Sequence, residues 1–224
     1  MNELDALRAL ADPDKAEQML AYHKAPRAYL GVSNPQIDDL VAEWRAGRDV
    51  DGRIALAAEL WASDIHEARI AAAKLLTQAR IRPDDAIWSL IAGWAADFDG
   101  WAIADHAMIA GQKRLVADPG RLDQVETWLD HPNTWARRAA LVGTLPWAKM
   151  NNPKPDDLAQ RERVLDWAAR LAEDRDWFIQ KAIAWWLRDL SKRDAPRVRA
   201  FLADHGARMK SFARKEAARL VQGR

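Results

Sequence analysis

Apolar residues recur along most of the chain at the three- and four-residue spacing of an amphipathic helix, and almost no segment alternates as a strand does. Proline, glycine, asparagine and aspartate fall between the periodic segments, where helices begin and end. The short connections between segments are typical of stacked helix pairs. The pattern predicts an all-α protein of about a dozen helices.

Individual boundaries follow from the same signals. Asn34 and Pro35 predict an N-cap followed by a first-turn proline, and Gly47 predicts the end of that helix. The segment NNPKP at 151–155 is the clearest loop. The predicted helices cover residues 14–23, 34–45, 51–61, 64–80, 83–96, 100–116, 119–129, 134–147, 156–173, 177–190, 196–204 and 211–222.

Three of these helices share a basic residue followed by small or apolar ones: Arg69 in RIAAAKLL, Arg138 in RAALVGTL and Lys181 in KAIAWWL. Asp105 fits the same frame, and the successive intervals of 36, 33 and 43 residues are typical of a two-helix repeat. The fold class predicted from this repeat is a HEAT/armadillo-like α-solenoid of stacked antiparallel helix pairs. We expect a single domain over residues 1–224.

The repeat frame also predicts a candidate site. Trp101 and Asp105 are four residues apart and therefore share one face of a helix, and Trp185 lies four residues after Lys181. Equivalent positions of a solenoid stack along one concave wall. We therefore expect Trp101, Asp105, Arg138 and Trp185 to converge in a basic groove lined by aromatic residues.

Composition narrows the possible functions. With 49% hydrophobic and 30% charged residues and no long apolar run, the chain reads as a soluble globular protein, and MNELDALRALADPDK does not resemble a secretory signal, so we expect a cytoplasmic location. The absence of cysteine excludes disulfides, thiolate zinc sites and a cysteine nucleophile.

The net charge of +1 conceals an asymmetry along the chain. Residues 1–130 contain 14 Lys or Arg against 22 Asp or Glu, a balance of −8, whereas residues 131–224 contain 20 against 11, a balance of +9. The C-terminal part can therefore face a polyanion. The alternative is that these charges are ordinary solvated helix surface.

Most catalytic signatures are absent: the chain has no glycine-rich phosphate loop, no HExxH and no GxSxG. The candidate chemistry is that of a carboxylate flanked by indoles with cations nearby. Such a set suits a positively charged base on a DNA backbone, because indoles and a carboxylate attract the base and cations attract the phosphates. The competing interpretation is that the 12 tryptophans are core residues and the aspartate is solvated. We interpret the histidines as structural or exposed: His23, His66, His106, His131 and His205.

Several stretches carry a resemblance to a known family: AYHK and YLGVSNP near the N-terminus, GWAIAD at 100–105, NTWARRAA at 133–140, WFIQKAIAWWLR at 177–188 and SFARKEAA at 211–218. Over nearly its full length the chain resembles the AlkD-like DNA alkylation repair proteins, which are HEAT-like-repeat DNA glycosylases for N3- and N7-alkylated purines. The resemblance implies a monofunctional glycosylase in base excision repair, acting on 3-methyladenine or 7-methylguanine in duplex DNA.

Carried over residue by residue, the resemblance implies that Asp105 is the catalytic carboxylate. Trp101 and Trp185 would embrace the lesion nucleotide, Arg138 would hold the phosphate backbone beside them, and Tyr22 would contact DNA from the N-terminal helices. No metal or other cofactor and no membrane is implied, and we expect a monomer.

Two departures from the family pattern affect these expectations. Gly100 stands where relatives often have an aromatic residue, and residues 36–39 read QIDD where relatives tend to be basic. We therefore expect DNA contacts chiefly from the C-terminal half. The candidates there are Lys149, Lys154, Lys181, Arg188, Lys192, Arg193, Arg214 and Lys215.

Two other functions stay open. One is a catalytically silent HEAT-repeat module that binds DNA structure, against which the presence of all four central residues argues. The other is a protein-binding solenoid, which this architecture always allows.

Overall fold

The computed structural model describes residues 2–221, in which α-helices are joined by short connections and no β-strand is formed. The all-α fold class predicted from the sequence is confirmed. No helix of this part of the chain is both long enough and apolar enough to span a bilayer. The helices are α1 (Glu3–Ala9), α2 (Pro13–His23), α3 (Asn34–Ala46), α4 (Val50–Ala62), α5 (His66–Leu75), α6 (Asp85–Gly93), α7 (Trp101–Ala117), α8 (Leu122–Thr127), α9 (Thr134–Gly143), α10 (Leu145–Lys149), α11 (Pro155–Arg170), α12 (Trp177–Ser191), α13 (Ala195–His205) and α14 (Ser211–Ala218).

The chain forms two compact units, and the boundary between Arg114 and Leu115 falls within α7. In the first unit α5 is the central helix: it packs against α3 and α4, and all of its residues except Lys74 are buried. In the second unit α12 is central and packs against α9, α10, α13 and α14. The single domain expected over residues 1–224 stays a prediction.

The tryptophans divide into core residues and residues that reach the surface. Trp101, Trp135, Trp177 and Trp185 are only partly buried or are exposed. The other eight are buried: Trp44, Trp61, Trp88, Trp94, Trp128, Trp147, Trp167 and Trp186. The high tryptophan content is therefore mainly a property of the core, but both indoles predicted to bind the lesion belong to the accessible minority.

Several helix ends differ from the predicted boundaries. Helix α5 begins at His66 rather than at residue 64, because Asp64 has a left-handed backbone (φ 54°) that cannot continue a helix. The predicted helix 134–147 is two helices separated at Thr144. Pro146 lacks an N–H and its ring crowds the carbonyl of Val142, so the first helix cannot run through it.

Other differences are local. Ser33, not Asn34, is the N-cap of α3, and its backbone N–H donates to the Gln36 side chain at 3.0 Å. The apolar pattern predicts no helix before residue 14, but α1 forms there, and the Asn2 side chain caps it by accepting the Asp5 N–H at 2.8 Å. The last helix was predicted to reach residue 222, which lies outside the described residues, and it ends at Ala218.

The segment between α2 and α3 is fixed by one buried carboxylate. Glu67, in the first turn of α5, is fully buried and accepts the backbone N–H groups of Leu30 at 3.0 Å, Gly31 at 2.7 Å and Val32 at 3.3 Å. Gly31 has φ +78°, and a Cβ there would lie 2.1 Å from the carbonyl oxygen of Asp12, so no other residue fits. The end of α2 is thereby held beside α5.

Candidate functional site

Trp101 and Asp105 lie one turn apart at the start of α7. The residue two positions before Trp101, Asp99, forms an ion pair with Arg27, whose side chain is only 1% exposed. Arg27 also lies 3.7 Å from the carboxylate of Asp64. The buried Arg27 side chain, paired with a carboxylate two residues before Trp101, anchors the beginning of α7.

Aromatic residues from α2 stand beside the Trp101 indole. The Trp101 ring centre lies 5.4 Å from that of His23 and 6.1 Å from that of Tyr22, which it meets edge to face. His23 continues the contact to His66 at 4.5 Å, and His66 stacks on Tyr29 at 4.7 Å. We call Tyr22, His23, Tyr29, His66 and Trp101 the aromatic wall. Tyr22 is 70% exposed.

The histidines of this region are held neutral. Burial is the main cause that lowers the pKa of His66 to about 3, and repulsion from Arg27 and from the protonated forms of His23 and His106 adds to it. Burial likewise lowers the pKa of His23 and of His106, and the His106 Nδ1 lies 2.8 Å from the Ala102 carbonyl oxygen. At neutral pH the wall is therefore an uncharged aromatic surface, and Asp105 follows its Trp101 by one helical turn.

Gly100, the position at which relatives often carry an aromatic residue, is buried. A Cβ at this position would lie 3.7 Å from the Cβ of Ala25, an ordinary contact, so alanine would fit, while a larger side chain would extend from a Cβ already in contact with its neighbour. Tyr22 and His23 instead supply aromatic surface beside Trp101.

In the second unit Arg138 is 6% exposed on α9, and its Nη1 donates to the backbone carbonyl of Phe178 at 2.9 Å. The Phe178 ring packs edge to face against Trp135, with centres 4.6 Å apart. Arg138 is thus built into the contact between α9 and the start of α12. Its predicted role in holding phosphate stays a prediction.

Trp185 is held by a carboxylate one turn later on α12. Its Nε1 donates to Asp189 at 2.9 Å, and the Lys149 ammonium lies 5.6 Å from the ring centre. Burial opposes ionisation of Asp189, but the hydrogen bond from Lys192 and the charges of Lys149 and Lys192 outweigh it, so its pKa is lowered. An ionised Asp189 fixes the orientation of the indole.

The remaining basic candidates differ in how far they are already neutralised. Lys181 and Arg188 share Glu216, at 2.7 and 2.6 Å. Lys149 and Lys192 share Asp189, at 3.6 and 2.7 Å. Arg193 donates to the Lys149 carbonyl at 3.1 Å. The ones left exposed without a carboxylate partner among residues 2–221 are Lys154, Arg193, Arg214 and Lys215.

The predicted site residues are thus distributed over both units. Tyr22, Trp101 and Asp105 belong to the first, where Tyr22 contacts Trp101; Arg138 and Trp185 belong to the second. The convergence of the two sets stays a prediction. Among the described residues, no group of three or more histidine, aspartate or glutamate side chains could hold a metal ion.

Sequence reasoning missed His23 as a neighbour of Trp101 and missed Arg27 and Glu67 altogether. The one available signal was the position of His23 directly after Tyr22 in the AYHK stretch. The contacts of these residues join positions far apart in the chain, and no local sequence pattern predicts them.

A family model described as DNA alkylation repair enzyme matches residues 4–221, nearly the whole chain. The chain belongs to this family. Membership agrees with the resemblance drawn from GWAIAD and the α12 stretch, and it supports a role in the repair of alkylated DNA. No curated protein matches this member of the DNA alkylation repair family.

Solved structures show the same fold. This family member resembles a protein described as a predicted DNA alkylation repair enzyme from Enterococcus faecalis, with a TM-score of 0.78 and 18% identity over 96% of this chain and 98% of the other. It also resembles AlkD2 from Streptococcus mutans, with a TM-score of 0.63 and 19% identity over 86% of this chain and 90% of the other. At these identities the likeness concerns the fold.

Proposed function

We propose that this protein is a monofunctional DNA glycosylase that hydrolyses the N-glycosidic bond of cationic N3- and N7-alkylated purines, such as 3-methyladenine and 7-methylguanine, in duplex DNA during base excision repair. The observation that carries the proposal is Asp105 one turn after Trp101, in a chain of the DNA alkylation repair family, with the neutral aromatic wall beside the indole.

Hydrolysis of this bond requires from the protein a negative charge beside the sugar and a correctly placed water. Alkylation gives the purine a positive charge, so when the bond from C1′ to the base nitrogen breaks, the electron pair leaves with the base and neutralises it. The sugar then passes through a cation resembling an oxocarbenium ion. In the proposal the Asp105 carboxylate stabilises that cation and orients the water whose oxygen attacks C1′ and whose proton is lost.

The aromatic residues are assigned to recognition. An indole face attracts a cation, so Trp101 favours an alkylated base over an unmodified neutral one. The proposal gives Trp185 the second side of the lesion nucleotide and Arg138 the phosphate backbone beside it. Histidines that stay neutral add no repulsion toward the cationic base.

The test is release of 7-methylguanine and 3-methyladenine from methylated duplex DNA under single-turnover conditions. We expect release by the wild type and a fall of about 10²-fold or more in Asp105→Asn, the scale of losing an electrostatic contact made in the transition state. The control is Asp51→Asn, which makes the same change at an exposed position of α4 and should leave the rate unchanged.

Failure of the proposal has a distinct signature. If the wild type binds duplex DNA but releases no base from it, the chain acts as the silent DNA-binding module considered from the sequence. If Asp105→Asn releases base as fast as the wild type, another group carries the charge stabilisation.

A further inference from the structure

Three exposed cations on α13 and α14 have no partner among the described residues. Arg199, Arg214 and Lys215 make no ion pair and no side-chain hydrogen bond with any of residues 2–221. Lys181 and Arg188, in contrast, are both paired with Glu216. The three unpaired charges are therefore available to an outside anion.

The same three residues line one cavity of about 590 Å³ between α13 and α14. Arg199 lies on the same face of α13 as Leu202 and Ala203, and Arg214 on the same face of α14 as Ala218. The lining contains no carboxylate; it consists of Arg199, Leu202, Ala203, Arg214, Lys215 and Ala218. The lining thus combines three positively charged side chains with three apolar ones.

The Arg214 side chain is supported along its length. A Cβ on Gly206, at the end of α13, would lie 3.3 Å from Arg214 Cδ and 3.7 Å from Cγ, so the absence of a side chain there lets the arginine stem pack close to the backbone. A stem packed in this way loses less conformational freedom when its guanidinium binds a ligand.

We propose that Arg199, Arg214 and Lys215 form a binding site for the phosphodiester backbone of DNA, which we call the α13–α14 phosphate site. Two guanidinium forks match the geometry of phosphate oxygens, and the ammonium adds a third cation, so the three side chains can each contact one of several successive phosphates along the backbone. The identity of the anion as DNA rests on the proposed function; the presence of an anion site rests on the cavity and its unpaired cations.

The basic residues of α12, α13 and α14 then differ in their contribution to DNA binding. Arg214 and Lys215 act as DNA contacts together with Arg199, which charge counting alone did not single out. Lys181 and Arg188, already paired with Glu216, make a smaller contribution because their binding to phosphate would first require an ion pair to be given up.

The test is the salt dependence of binding to undamaged duplex DNA, measured by fluorescence anisotropy for Arg199→Gln, Arg214→Gln, Lys215→Gln and the triple variant. Each phosphate contact removed should lower the slope of log K against log salt concentration by about 0.9 in magnitude, and the triple variant by about 2.7. Arg80→Gln removes an exposed, unpaired cation of the first unit and should leave the slope unchanged.

Further variants and a second readout separate the possible failures. Arg199→Lys combined with Arg214→Lys keeps the charges but not the forks, and should retain the slope while weakening binding. A triple variant with the wild-type slope overturns the phosphate site even if the wild type releases alkylpurines. Conversely, a reduced slope in the triple variant of a protein that releases no base would support the site and reject the proposed function.

Discussion

Glu67 and Gly31 are 36 residues apart in the chain, yet the Glu67 carboxylate accepts the Gly31 backbone N–H at 2.7 Å. The bond explains why a YLGV stretch and an acidic residue in the first turn of α5 occur together in this chain. Because the same carboxylate also binds the N–H groups of Leu30 and Val32, one side chain orders the segment that follows α2. Tyr22 and His23, at the end of α2, depend on that order for their place beside Trp101.

Replacing Glu67 by Gln should lower the free energy of unfolding by about 1–3 kcal/mol, because one carboxylate oxygen becomes an amide donor facing a backbone N–H. Chemical denaturation at pH 7 measures the change. Glu17→Gln, at an exposed position of α2, is the matched control and should be neutral. Equal stability of Glu67→Gln and wild type would mean that the backbone N–H facing the new amide nitrogen finds another acceptor.

Gly31→Ala should be more damaging than a typical surface change, by about 2 kcal/mol or more. The residue has φ +78°, and the new Cβ would meet the Asp12 carbonyl oxygen and the Ala16 nitrogen at 2.1 and 2.7 Å. Thermal unfolding gives the readout. Gly47→Ala, where a Cβ meets only the Glu43 carbonyl oxygen at 3.9 Å, should change the melting temperature little.

Stability should decrease as the pH falls below 6.5. The pKa of His66 is about 3 in the folded protein against 6.5 for the unperturbed side chain. Between these values the unfolded chain binds a proton that the folded chain does not, so the free energy of unfolding falls with decreasing pH, with a slope of up to about 1.4 kcal/mol per unit. Above pH 6.5 this contribution is constant.

The comparison is with His66→Phe, which keeps a ring against Tyr29 but removes the titration. Denaturation at pH 7.5, 6 and 5 should give a shallower pH dependence in the variant than in the wild type. Residual dependence is expected from His23 and His106, whose pKa values burial lowers in the same direction. Identical slopes in the two proteins would place the proton uptake elsewhere.

Arg138→Ala should reduce stability as well as DNA affinity. The guanidinium is buried and donates to the Phe178 carbonyl, so its removal should cost about 1–3 kcal/mol of unfolding free energy. Arg138→Lys keeps a charge but loses the planar fork, and should lie between alanine and wild type. An alanine variant that binds DNA weakly but is fully stable would show that the carbonyl contact contributes nothing.

The fold class was predictable because helical periodicity is local. Each amphipathic segment predicts a helix without reference to the rest of the chain. The placement of Trp101 and Asp105 on one turn was predictable for the same reason. The break at Thr144 had a visible signal in Pro146, which should have ended the helix. The late start of α5 had none, since only the backbone of Asp64 reveals its left-handed conformation.

The surroundings of the candidate site were not predictable from spacing. The wall beside Trp101 joins residues 22, 23 and 66 to residue 101, and such long-range contacts leave no periodic trace. The burial of a charged side chain also gives no signal in the sequence. The pattern around Arg138 is that of a surface arginine, and Glu67 stands in a helix turn where acidic residues are usually solvated. Both become visible only when their backbone partners are known.

The division of the tryptophans has an optical consequence. Eight indoles are enclosed in the core, so their emission reports only whether the chain is folded. Four indoles reach the surface, and their fluorescence is the part that a solute or a stacked base can quench. Two of the four are Trp101 and Trp185, one in each unit. If Trp101 and Trp185 contact the lesion as proposed, their fluorescence reports binding without a label, and replacing Trp135 and Trp177 by phenylalanine would leave these two as the accessible fluorophores.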